Sequence, residues 1–259
     1  RHKTGPPFEM ADVEDSAYFD GKTTLEALNR LNQLSKNQKP FFLAVGFVKP
    51  HLPFNAPKKY WDLYDHSKIQ LPGNPNQPIN APPKAKHAFG ELRKFDGIPK
   101  NPLPVSDSMA RKLIHGYYAC VSYIDAQIGI LLEGLDNLNL SENTIVFILG
   151  DHGWSLGEHG LWAKHSPFDL ATRTPLIVRT PEHLNETYKS GRAHGLVEFI
   201  DIFPTIMELV DLAELDQLDG KSFVEQLKDP LSDGKEVVFP RWSIAEIIKT
   251  DQYSYTEWR

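Results

Sequence analysis

Residues 144–149, Thr-Ile-Val-Phe-Ile-Leu, form a short apolar run rich in β-branched side chains that stops at Gly150. Such a run reads as a strand buried on both faces, which requires layers of structure on either side of it. Upstream, Ser106 or Asp107 can cap a long helix. Its Leu113, Tyr117, Val121, Ile124, Ile128, Leu131 and Leu135 recur at three- and four-residue steps. Gly116 and Gly129 lie within this stripe, where they lower helical stability and permit close packing. The same alternation runs through the chain. Thr23-Thr24-Leu25-Glu26 has the form of a capping box ahead of Leu25, Leu28, Leu31 and Leu34. Pro40 then precedes an apolar strand from Phe41 to Val48, and Pro175 to Arg179 read as another strand. Asp201 can start a helix with Pro204 in its first turn and Ile206, Leu209 and Val210 on the buried face. Helix and strand in this alternation imply an α/β fold with a mostly parallel sheet covered by helices.

Two stretches depart from that pattern. Residues 71–104 are rich in Pro, Asn and Gly with little periodicity; so long a loop is either functional or a variable surface excursion. After Lys221, the runs Ile244–Lys249 and Tyr253–Trp258 flank Thr250-Asp251-Gln252 and read as an antiparallel hairpin. We therefore expect a main α/β domain over 1–220 and part of a smaller antiparallel subdomain over 221–259.

The chemistry concentrates just beyond Leu149. Asp151-His152-Gly153-Trp154 is followed by Leu156-Gly157-Glu158-His159-Gly160 and Trp162-Ala163-Lys164-His165. Ligands of open α/β sheets bind outside the carboxyl ends of strands, so an acid, an imidazole and a lysine there suggest a metal beside an anion-binding cation. The alternative is a polar, glycine-punctuated surface loop. Those motifs resemble the second metal-ligand segment of the type I sulfatases of the alkaline phosphatase superfamily, and within them the iduronate-2-sulfatase group. Phe41–Phe54, with its Lys49-Pro50-His51-Leu52-Pro53-Phe54, resembles the same group. So do Thr172–Ile177, Phe199–Thr205 and Lys249–Trp258.

The resemblance implies an alkaline phosphatase/sulfatase-like fold and hydrolysis of sulfate esters on a sulfated sugar or glycosaminoglycan-like glycan. It implies Asp151 and His152 as metal ligands, Lys164 as a sulfate contact and His51 as a group on the sulfate or leaving-group oxygen. Lys49 is a substrate-binding candidate, although a lysine before proline also shapes a loop. Trp154 either lines the sugar pocket or packs beneath the loop. The family's usual metal is Ca2+, a hard cation that prefers oxygen; a histidine ligand keeps Mg2+ or a transition metal open. The resemblance further implies a periplasmic, secreted or lysosomal setting. Phosphate and phosphonate monoester hydrolases of the superfamily carry a similar run and remain an alternative, as does a non-catalytic glycan-binding segment.

Sulfatases of this type make a formylglycine nucleophile from Cys or Ser in Cys/Ser-x-Pro/Ala-x-Arg. The one cysteine, Cys120 in Tyr118-Ala119-Cys120-Val121-Ser122, lacks Pro and Arg at the required offsets, and no serine sits in that frame. Cys120 is expected to be a small core residue. The chain is therefore expected to be an internal segment of a longer sulfatase. On that reading the formylglycine and an Asp-Asp metal pair lie in a preceding N-terminal part, which is needed to complete the fold, and the isolated segment is inactive. A net charge of −6 argues against a general polyanion or nucleic-acid surface. Recognition of a sulfated glycan then falls to local cations, for which Lys49, His51, Lys164, His165 and Arg173 are the candidates. No apolar run is long enough to span a bilayer.

Overall fold

The computed structural model describes residues 5–37, 39–101, 103–213 and 215–259. The fold is mixed α/β with a small antiparallel sheet at its C-terminal end. It divides into two compact units, one of residues up to Ser141 with Trp154–His165, the other of Glu142–Gly153 with Ser166–Arg259. Among the described residues, no helix is long and apolar enough to cross a membrane.

The first unit is organised by α3, Asp107–Asn137, whose N-cap Ser106 accepts a hydrogen bond from the Met109 amide. Against it lie α1 (Phe19–Ser35), α2 (Lys58–Trp61) and the parallel pair β1 (Phe8–Ala11) and β2 (Phe54–Pro57). The buried seam of α3 runs through Leu113, Gly116, Cys120, Tyr123 and Gln127, while Val121 is exposed. Cys120 is fully buried, as expected, and burial pushes its thiol up to about 12. Gly116 has the packing role anticipated for it: a Cβ there would lie 2.8 Å from the Trp61 ring and 2.9 Å from Phe54 Cβ. Nothing comparable surrounds Gly129.

Other expectations need correction. Helix α1 begins at Phe19, so Thr23 is inside it, donating to the Phe19 carbonyl, and caps nothing. Its buried side is Asp20, Thr24, Ala27 and Leu31, with Leu25 in solvent. The run 41–48 shows alternating half-buried and exposed residues, as a pleat requires, yet makes no ladder pairing among the described residues.

In the second unit, β3 (Val146–Leu149) pairs with β6 (Leu176–Arg179), and the pairing is antiparallel, from Val146 opposite Arg179 to Leu149 opposite Leu176. The side-chain pattern locates both strands, but the pairing is not the parallel one that the continuous apolar run suggested, and β3 is only half-buried with Leu149 exposed. Between β3 and β6 in chain order fall β4 (Ser155–Leu156) and β5 (Trp162–Ala163), which belong to the first unit. Short helices α4 (Asp169–Thr172), α5 (Pro181–Leu184), α6 (Ile202–Leu209) and α7 (Val224–Lys228) follow. Helix α6 buries Pro204, Thr205 and Met207, whereas Val210 is exposed. Strands β7 (Arg241–Trp242), β8 (Ala245–Lys249) and β9 (Ser254–Trp258) complete the C-terminal sheet, with Lys249 opposite Ser254 as the hairpin reading required.

Candidate active site

The block Lys49–Phe54 is fixed from below. Asp20, buried in the first turn of α1, accepts from the Val48 amide at 2.8 Å with one carboxylate oxygen and from the Lys49 amide at 2.9 Å with the other. Lys49 turns its ammonium onto main-chain carbonyls, those of His51 at 3.1 Å and Pro53 at 2.7 Å. Burial lowers its pKa. The placement therefore makes Lys49 a clamp on the loop that presents His51. His51 Nδ1 lies 2.7 Å from the Leu52 carbonyl, which can only accept, so that nitrogen carries hydrogen and Nε2 faces outward.

Lys164 arrives from a separate hairpin. Strands β4 and β5 pair Ser155 with Ala163 and Leu156 with Trp162, and the turn between them uses Gly157 at φ 114° and Gly160 at φ 70°, conformations that favour glycine. Glu158 accepts from the Leu156 amide at 2.7 Å and so braces the turn. Ala163, buried, holds φ 71°, a strained value for a residue with a Cβ, and Lys164 is aimed by it. Lys164 Nζ lies 2.7 Å from His51 Nε2. Trp154 makes the floor: its ring meets His51 edge-on at 5.5 Å, stacks on Tyr117 at 6.3 Å and has Lys164 Nζ 5.2 Å from its centroid. A carboxylate, Glu91, completes this cluster with Oε1 2.7 Å from His51 Nε2. Nothing in the sequence marks it, because it lies in the aperiodic stretch 71–104. Next to Lys164, His165 packs its ring against His87, and burial, with the His165 charge beside it, lowers His87 to about 4.

In the second unit the turn after β3 is tied to the segment before β6. The Gly150 amide donates to the Pro175 carbonyl, the Gly153 amide to Ala171, and the Thr174 hydroxyl to the carbonyls of Gly150 and His152. A Cβ on Gly153 would fall 2.0 Å from the Leu170 carbonyl oxygen, so only glycine fits. These bonds explain why Thr172–Ile177 accompanies the Asp-His-Gly motif. His152 places Nδ1 2.8 Å from the Gly153 carbonyl. That fixes the tautomer, and Nε2 lies 3.5 Å from Oδ2 of the exposed Asp151. An imidazole nitrogen and a carboxylate oxygen on one turn fit a divalent metal as two of its donors. Among the described residues no group of three or more His, Cys, Asp or Glu forms a metal-binding set.

Residues 4–212 match the family model described as Sulfatase. Iduronate 2-sulfatase of Mus musculus is 36% identical over 234 residues, which is 80% of this chain and 42% of the relative. The Homo sapiens protein matches equally. A sulfatase of Formosa agariphila is 32% identical over 88% of this chain and 44% of its own length. The chain thus spans about two-fifths of the length of these curated relatives. Among solved structures, a phosphonate monoester hydrolase from Silicibacter pomeroyi aligns with a TM-score of 0.78 at 22% identity, covering 95% of this chain and 53% of that one. A protein solved with D-glucosamine-2-N,6-O-disulfate aligns at 0.76 and 18% identity, covering 93% and 60%. At such identities the two structures speak for the fold alone.

Proposed function

Because the chain belongs to the sulfatase family, we propose that it forms part of a metal-dependent sulfuric ester hydrolase acting on a sulfated sugar or glycosaminoglycan-like glycan. The substrate class is that of its iduronate 2-sulfatase relatives. The supporting observation is the 2.7 Å contact between His51 Nε2 and Lys164 Nζ, made by two motif loops 113 positions apart.

A sulfate ester is an anion whose oxygens shield the sulfur from attack. Lys164 supplies a point charge to one of those oxygens. His51, with Nδ1 committed to the Leu52 carbonyl, can pass a proton only through Nε2, and it delivers that proton to the departing sugar oxygen. Trp154 gives the sugar an apolar floor, and Lys49 holds the His51 loop. Asp151 and His152 would contribute two donors to a divalent metal, Ca2+ by family resemblance, and such a metal would supply Lewis-acid chemistry to a sulfate ester. The 259 residues contain no Cys/Ser-x-Pro/Ala-x-Arg motif; the formylglycine nucleophile of the family is assigned to sequence outside them.

The test compares three substrates of the native protein: a 2-O-sulfated uronate disaccharide, an aryl sulfate and an aryl phosphonate monoester. Both sulfates are expected to turn over. Lys164→Ala should lower kcat/KM on both alike. His51→Ala should cost about a hundred- to ten-thousand-fold on the sugar sulfate, whose alkoxide needs a proton, and far less on the aryl sulfate, which leaves as a stabilised phenolate. Faster turnover of the phosphonate would move the reading to a phosphonate monoester hydrolase. Equal penalties for His51→Ala would reduce His51 to a sulfate ligand.

A further inference from the structure

Glu91 touches both groups assigned above to the substrate. Its Oε1 is 2.7 Å from His51 Nε2, and Lys164 Nζ is 3.4 Å from each carboxylate oxygen. The side chain is mostly shielded, with 21% exposed. Two consequences follow from elementary chemistry. Nε2 carries at most one hydrogen, so while it faces Glu91 it has none for a departing oxygen. A sulfate oxygen approaching Lys164 meets a carboxylate of its own sign at contact distance, and like charges in a partly buried site are not both held.

We propose that Glu91 is a resident anion, exchanged for the substrate's sulfate group on binding. This rests on the reading of His51 and Lys164 as the sulfate-handling pair. Before substrate arrives, the carboxylate compensates the Lys164 ammonium, which lies 2.7 Å from the imidazole. The exchange is a side-chain rotation and not a loop opening, because the neighbouring main chain is pinned. Arg93, buried two residues on, donates to the carbonyls of Ala88 at 2.7 Å, Pro99 at 2.5 Å and Leu103 at 3.0 Å. The exchange also works as a filter. A sugar carboxylate replaces Glu91 with its like and gains nothing, whereas a sulfate group brings a third oxygen, so sulfated sugars are admitted and plain uronates are refused.

Titration calorimetry of the native protein with inorganic sulfate tests this without requiring turnover. Glu91→Gln, which keeps the shape and removes the charge, should bind sulfate about tenfold more tightly than the unchanged chain. Glu91→Ala should shift in the same direction, and Lys164→Ala should abolish binding in every background. Melting curves of each variant establish that it is folded. If Lys164→Ala abolishes binding but neither Glu91 variant tightens it, the exchange is overturned and the anion site stands. Sulfate binding indifferent to Lys164, or none by any variant, overturns the site and the exchange together.

Discussion

Asp20 offers a direct measure of how the His51 loop is held. It is 1% exposed, and its two carboxylate oxygens accept from the amides of Val48 and Lys49, three and two residues before His51. A hydrogen bond to a charged group contributes about 1.5–3 kcal/mol, and a buried amide left without an acceptor costs about 1–3 kcal/mol. Asp20→Ala orphans both amides, so the unfolding free energy should fall by about 3–5 kcal/mol. Asp20→Asn keeps one carbonyl oxygen but turns an NH2 group toward the second amide, so it should lose about 1.5–3 kcal/mol. Urea denaturation gives both values. Hydrogen exchange adds a local readout, since the Val48 and Lys49 amides should lose protection in Asp20→Ala beyond what the global change predicts. Unfolding free energies within about 1 kcal/mol of the unchanged protein, the size of an ordinary surface hydrogen bond, would refute the anchor.

Gly116→Ala forces a methyl group against Trp61 and Phe54 and should destabilise by about 1–3 kcal/mol through overpacking. Gly129→Ala, with nothing within 4 Å of its new Cβ, should instead stabilise by about 0.5–1 kcal/mol through helix propensity, and thermal melts of the pair check both signs. His87 is held neutral in the folded protein, down to about 4 from its ordinary 6.5, so the unfolded chain takes up a proton first as pH falls. Stability present above pH 6.5 should be lost progressively toward pH 4, and His87→Gln should flatten that slope in urea midpoints measured at pH 7.5 and 5; parallel slopes would refute it.

What could be read from the sequence followed from period and length. Helix α3 was legible because 31 residues repeat an apolar stripe, and β3 because a compact apolar run ends at a glycine. The C-terminal hairpin was legible because a polar turn separates two alternating runs. The start of α1 was not, because its N-cap is Tyr18, which offers no side-chain acceptor to the first turn, while Thr23-Thr24-Leu25-Glu26 imitates a cap from within. The antiparallel sense of β3 and β6 was hidden because the continuous apolar run 144–149 has the form of a parallel strand buried on both faces and shows no polar alternation. Of the cluster around His51, the motif residues His51, Lys164, Lys49 and Trp154 were visible in two recognisable blocks. Asp20 was invisible, since a buried acid in a helix looks like any other polar position until its partners are known.

Glu91 was the hardest to see, and the reason bears on how the site is built. Helices and strands hold side chains in place by repeating one backbone hydrogen bond, and that repetition leaves a periodic trace in the sequence. The segment around Glu91 is held differently. One arginine takes three carbonyls from Ala88, Pro99 and Leu103, its own carbonyl accepts from Lys100 at 2.9 Å, and its guanidinium lies 3.7 Å over the Phe89 ring. A fork of fixed donors can satisfy carbonyls from several strands of irregular chain at once, and a buried cation so placed costs less than its desolvation alone would imply. Such a clamp is aperiodic and depends on a single residue, so it leaves no pattern to detect. It nevertheless fixes the main chain two residues from Glu91 as firmly as a helix turn would, and it lets an aperiodic stretch deliver a carboxylate to within 2.7 Å of His51 Nε2.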